Sequence, residues 1–214
     1  MEDPAVNDQL IRSATLMLVL LNPFFMSIYL LDLIQDLSWP KFARAVLHGS
    51  TISCLVFVGI ALAGDVFFTN VLQVRFSSFL IFGGAVFLLV SIRSFFLGPD
   101  SLRSLRGKPE ASGGSIAIPF MIGPGTLSAS VSAGTALPTI EIIPAIVIPV
   151  FLSMATVTGF KKLHDLIQHR GADYEQKINR YIDATGRIMS LVTGTIAVEM
   201  LLRGIEQWLE LGSS

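Results

Sequence analysis

Five stretches of this chain carry no Asp, Glu, Lys or Arg, and each is about long enough to cross a lipid bilayer as a helix. They cover residues 13–31, 45–64, 76–92, 111–140 and 142–160. Spanning the hydrocarbon core takes about 20 apolar residues. A sixth stretch, 187–208, is interrupted by Glu199, Arg203 and Glu206. Charged residues make up 14% of the chain, against about 25% in soluble domains. Too few charges remain to cover a surface facing water, so lipid must be the solvent for much of the chain. That excludes a soluble enzyme, and a net charge of −1 gives no reason to expect a nucleic-acid partner. The runs are apolar all round, so periodicity does not identify helix. Lipid does, because every backbone polar group inside it must be paired within the segment. The expected fold is an all-α membrane protein of six transmembrane helices, near 10–34, 45–68, 74–97, 115–136, 141–160 and 184–209.

Orientation follows from the basic residues, which concentrate on cytoplasmic connections. Lys41 and Arg44 follow the first span. Arg103, Arg106 and Lys108 follow the third, with Arg93 at the helix end. Lys161, Lys162, Arg170, Lys177 and Arg180 follow the fifth, whereas the other side holds Arg12, Arg75 and Arg203. Both termini are therefore expected outside. Residues 161–187 mix charged and apolar positions, which suits either a helix lying on the membrane surface or a solvated loop. Trp39 and Trp208 fit the interfacial belts. The acidic opening has no basic n-region, so no cleaved signal peptide is expected. Cys54 is the one cysteine, and His48 has no partners at ligand spacing. No disulfide, metal site or cofactor is expected.

A polar segment rich in Gly, Ser and Pro, 103–114, divides the chain into two halves, 1–102 and 115–214, of three helices each. The first helix of each half contains a proline near its centre: Asn22-Pro23 in one, Gly123-Pro124 in the other. The third has small residues in its middle, Gly83-Gly84 against Ser190 and Gly194. Three helices per half make the second copy insert upside down. Inverted repeats with matching interrupted helices mark secondary transporters. Pro23 should free the carbonyl of Val19, Pro124 that of Phe120, and Pro119 that of Ser115. Unwound backbone at both places offers carbonyls to an ammonium group and helix N-termini to a carboxylate. That chemistry suits a zwitterion, with Ser27, Thr126 and Ser128 adding hydroxyls. Pro23 alone also reads as a simple kink. Two prolines and two glycines in Pro119-Phe-Met-Ile-Gly-Pro-Gly-Thr126 do not. Pro144 and Pro149 are read as structural. Glu199, near mid-span, is a candidate for proton or cation coupling. Arg203, four residues on, makes an ordinary helical ion pair the competing reading.

Leu21-Asn22-Pro23-Phe24-Phe25, Ile118-Pro119-Phe120-Met121-Ile122-Gly123-Pro124-Gly125-Thr126 and Ile196-Ala197-Val198-Glu199-Met200 resemble the MarC family of bacterial and archaeal membrane proteins, in motif order and spacing over nearly the whole chain. The resemblance implies six spans, inverted three-helix repeats, membership of the LysE-type transporter superfamily and a place in the bacterial plasma (inner) membrane. Some relatives are described as transporters of small neutral amino acids. On that pattern Asn22, Pro23, Ser27, Gly123, Pro124, Gly125 and Thr126 would line the substrate site, with sodium or protons as possible coupling ions and Glu199 as the coupling residue. The family often has Gln at the position of Glu199. Two other functions stay open: transport of another small solute, and a non-transporting assembly or regulatory role in which the Gly-Pro-Gly segment only packs helices. No intramembrane hydrolase motif is present.

Overall fold

A computed structural model describes residues 4–64, 66–71, 73–98, 121–167 and 172–210; the side chains of 4, 5, 32, 167 and 172–183 lie outside that description. Among the described residues the chain is helical. The helices are α1 (Pro4–Leu21), α2 (Pro23–Tyr29), α3 (Leu31–Asp36), α4 (Trp39–Ala63), α5 (Phe76–Leu97), α6 (Pro124–Ala136), α7 (Thr139–Ile167) and α8 (Ala172–Glu210), with a π-helical turn at Phe67–Val71 between α4 and α5. Five helical stretches are long and apolar enough to cross a membrane: Val6–Tyr29, Trp39–Ala63, Phe76–Leu97, Thr139–Leu166 and Ala184–Glu210. The chain is a multi-pass membrane protein. Of the expected span at 115–136 the structure describes only the part from Met121. The linker 103–114, with Arg103, Arg106 and Lys108, and the carbonyls of Ser115 and Phe120, lie outside the described residues.

Helix ends depart from the expected ones where lipid does not set them. The α7 helix runs from Thr139 through Pro144 and Pro149 to Ile167 without a break. From residue 172 onward the segment expected as a surface helix or loop is the first turns of α8, continuous with the last span. A charge-free run measures how much helix lipid covers, and says nothing of how far the helix continues into water.

Packing divides the described chain into two bodies. Buried apolar residues of α1–α4, α6 and α7 form one contiguous core, with Tyr29, Phe42, Phe57, Val150 and Val157 fully enclosed. In it α1 packs on α7 and on α6, and α4 packs on α6 and on α7. Gly134 brings α6 directly onto the Ala61 carbonyl of α4, leaving no room for a side chain.

The second body is the pair α5 and α8, which is held together by small residues. Ser77, Gly84 and Ser91 stand seven residues apart on α5, and Ser190, Ala197 and Gly204 stand seven apart on α8; all six are buried. The two rows meet antiparallel. Gly204 abuts the Ser77 carbonyl, Gly84 abuts the Ala197 carbonyl, and the hydroxyls of Ser190 and Ser94 are hydrogen-bonded at 2.8 Å. A seven-residue repeat keeps one seam facing its partner along two helices. Between lipid-exposed helices, where apolar burial gives no drive, close van der Waals approach of small residues supplies the attraction. Arg187 adds a bond at one end, Nη1 to the Phe95 carbonyl at 2.9 Å.

These contacts predict which glycines matter. A Cβ on Gly204 or Gly134 would run into backbone of the neighbouring helix, whereas Gly59 and Gly159 have open space. Gly134→Ala and Gly204→Ala should each lower stability by about 1–3 kcal/mol through overpacking. Gly59→Ala and Gly159→Ala should be neutral or raise it by up to about 1 kcal/mol. Unfolding titrations in mixed detergent micelles read all four.

Candidate functional site

A break within the first span, the first interruption, and the start of α6, the second, sit where the bodies meet; of the second, what precedes Met121 lies outside the described residues. At the first, Asn22 separates α1 from α2 with φ 42° and ψ 74°, the left-handed region. Asparagine tolerates that region better than other side-chain-bearing residues, and Pro23 begins the next helix because a first-turn residue needs no N–H partner. The Asn22 side chain caps that helix, Oδ1 accepting from the Phe25 N–H at 3.1 Å. Its Nδ2 donates to Thr193 Oγ1 on α8 at 3.3 Å. Ser27 is buried and donates to the Pro23 carbonyl at 2.7 Å.

At the second interruption Gly123 is extended, with φ −113° and ψ 167°, and Pro124 opens α6. Thr126 is 1% exposed and ties the turn together. Its Oγ1 accepts from the Gly123 N–H at 3.0 Å, and its single hydroxyl proton lies within reach of the Met121 carbonyl at 2.7 Å and the Gly123 carbonyl at 2.9 Å. The Pro124 ring fills the space that Gly83 of α5 leaves by having no side chain. Gly125 is enclosed by Phe87 of α5, Leu20 of α1 and Met200 of α8.

Above the interruptions, between α1 and α6 on one side and α5 and α8 on the other, lies an open cleft of about 1220 Å³. It opens at the face that carries the α4–α5 connection, the α6–α7 turn and the end of α8. Leu20 and Gly125 lie at its inner end. The cleft is larger than an ordinary ligand pocket of about 300–1,000 Å³, and its lining is more apolar than polar. Its walls carry two polar stripes. Ser128, Ser132 and Thr135 face it from α6, and Thr195, Glu199, Arg203 and Gln207 face it from α8. Glu199 and Arg203 form an ion pair at 2.7 Å with half or more of each side chain exposed. Arg75 lines the mouth.

Among the residues singled out from sequence, Gly125, Ser128 and Glu199 line the cleft. Asn22 and Pro124 connect the interruptions to the α5–α8 pair. The hydroxyls of Ser27 and Thr126 are turned into backbone bonds, and Pro23 and Gly123 are buried beside them. The stripe residues Ser132, Thr135, Thr195 and Gln207 were not singled out. Their signal is present: polar residues recur at three- and four-residue steps on one face of each helix. Among the described residues no group of His, Cys, Asp and Glu could hold a metal ion.

No curated protein and no solved structure matches the chain. A family model does, over residues 7–209, and its description is MarC family integral membrane protein. That match takes in nearly the whole sequence, both interruptions and both walls of the cleft, and the chain belongs to the MarC family.

Proposed function

We propose that the protein is a secondary transporter of small neutral amino acids in the bacterial plasma membrane, with its substrate site at the floor of the cleft between the two interruptions. One observation supports this reading: a largely apolar cleft with two polar stripes reaches from one face to the place where both helix starts, Pro23 and Pro124, meet a separately packed helix pair. On the opposite side Tyr29, Leu30, Leu33 and Ile34 are each no more than 2% exposed. Access from one face with closure on the other is what one state of an alternating carrier requires.

An inverted repeat is supported by which helices touch. Helices α2 and α3 pack on α7 as α6 packs on α4, α5 pairs with α8, and α5 meets α6 as α8 meets α2. Exchanging the first three spans for the last three leaves this set unchanged. On this reading α6 is the outer half of a sixth span, broken at Gly123-Pro124 as the first is at Asn22-Pro23. The basic residues Lys41 and Arg44 support a cytoplasmic closed side and a cleft that faces outward. Leu20 packs close on Gly125 at the inner end of the cleft, which favours a small substrate there. One carrying both charges finds hydroxyls and the Glu199–Arg203 pair on its way in. Glu199 is the candidate for coupling flux to protons or sodium.

Proteoliposomes loaded with labelled glycine, alanine or threonine test the reading. Flux above that of protein-free vesicles is expected for at least one of them, driven by a proton or sodium gradient. Flux equal to the protein-free control for all three, under every gradient, would overturn it.

Two substitutions distinguish a transport site from a packing device. Ser128→Ala removes a cleft hydroxyl and should slow flux several-fold with unchanged thermal stability. Thr126→Val removes buried bonds at the helix start and should cost about 1–3 kcal/mol of stability. If both variants lose stability and neither changes flux, the segment only packs helices.

Glu199→Gln should keep substrate binding while removing the dependence of flux on the driving gradient. Gradient dependence equal to that of the parent protein would exclude Glu199 as the coupling group.

A further inference from the structure

Lys161 stands first in a Lys-Lys pair at the end of the fifth span, where a basic residue normally marks topology by reaching water. Lys162 does so and is exposed. Lys161 does not: it is 3% exposed. Its Nζ donates to the carbonyl of Ile34 at 2.7 Å and pairs with Asp165 Oδ1 at 2.7 Å. Burying an ammonium group is costly unless it is paired and hydrogen-bonded, and an apolar side chain would pack α7 as well. The bond to Ile34 is the specific gain. Ile34 lies in the last turns of α3, whose final carbonyls have no partner within the helix, and a cation suits that end of the helix dipole.

The opposite face holds a matching contact. There the Ala61 carbonyl of α4 lies directly on Gly134 of α6. Ala61 and Lys161 are about a hundred residues apart, and the offset from Asn22-Pro23 to Gly123-Pro124 sets Ile34 against Thr135, next to Gly134, as an inverted repeat of this length would. Each half-helix that restarts after an interruption is therefore fixed at its far end to a helix of the core body. For α6 the joint is bare backbone contact. For α2–α3 it is a lysine.

We propose that Lys161 is a positioning residue for the substrate site: by holding the end of α3 against α7 it fixes the α2–α3 half-helix, and through it the Asn22-Pro23 interruption. This rests on the transporter reading for its link to the site, and on the geometry alone for the joint itself. Asp165, with 39% of its side chain exposed, orients the ammonium and is the lesser partner. His164, whose Nδ1 is 3.6 Å from the same carboxylate oxygen, faces Asp165 from the neighbouring position.

Hydrogen exchange on the full-length protein in proteoliposomes tests the joint without any need for substrate. Lys161→Met keeps the length and apolar stem but cannot donate. It should speed amide exchange in peptides covering 31–37 about tenfold, the scale set by a lost charge-assisted hydrogen bond, while peptides covering 124–136 exchange as before. Lys161→Arg should restore slow exchange, and Asp165→Asn should give a smaller rise. Unchanged exchange at 31–37, or a uniform rise across the chain, would overturn the joint. Should Lys161→Met fail to insert, the rise at 31–37 in Asp165→Asn decides the same question. Where the parent protein carries flux, Lys161→Met should raise the apparent KM several-fold and Lys161→Arg should return it. Faster exchange at 31–37 with an unchanged KM would refute the positioning role, whereas no flux by the parent protein would instead refute the transporter reading.

Discussion

Lipid cannot hydrate a free peptide group, and the architecture follows from how this chain meets that constraint where its helices stop. An unpaired backbone group in hydrocarbon costs several kcal/mol. The chain leaves helical geometry at 22 and at 123, and polar side chains within a few residues bond backbone groups at each place. Asn22 supplies a carboxamide to the Phe25 N–H, and Ser27 covers the Pro23 carbonyl. At the second interruption one hydroxyl, that of Thr126, serves a donor and two acceptors of the turn. The polar side chains that make the motif conspicuous are thus largely consumed in making it tolerable. What remains for a ligand is space, the bare backbone of Gly125, and the hydroxyls that begin one turn further out.

The same two places join the bodies. The α5–α8 pair is bound internally by close contact of small residues and meets the core chiefly at α6 and α2. Pro124 seats on Gly83, and Asn22 reaches Thr193. This joint, with Gly125 against Phe87 and Met200 and with Val90 and Met189 on the core, is still a smaller contact than the seam inside the α5–α8 pair. Relative motion of two bodies is favoured where the contact between them is small and each is stiff within. Any solute in the cleft touches both bodies at once, so its binding energy bears directly on how they sit.

Much of this was legible in the sequence for a physical reason. Lipid thickness sets the length of charge-free runs, so four of the five described spans fall where those runs are, Ala184–Glu210 being the exception. The departure from helix at Asn22 was legible because proline acts on the backbone itself, independent of neighbours. Side-chain roles were less so. Thr126 looks like a ligand group and turns out to hold a turn, which depends on where its hydroxyl points. Gly83 reads as a small residue, but its partner, the ring of Pro124, is a tertiary fact. Lys161 reads as a topology marker because burial of a lone cation is disfavoured a priori, and only the Ile34 carbonyl explains it. The stripes on α6 and α8 could have been found by their step, had apolar runs not made periodicity look uninformative.

Those stripes also account for why the cleft lies at one face. Under the inverted-repeat reading, Ser128, Ser132 and Thr135 of α6 correspond to Ser27, Leu31 and Ile34 of α2–α3. The first set faces the open cleft. The second is at most 7% exposed, and two of its three members are apolar. Opening the second face as wide as the first would place Leu31 and Ile34 in water, at about 25 cal/mol for each Å² exposed. On that reading the two faces differ in the cost of being wet. If the protein is the carrier we propose, the sequence difference between the two half-helices would bias it toward the state with the hydroxyl-lined side open, and a crossing solute would have to supply through binding what the apolar side lacks.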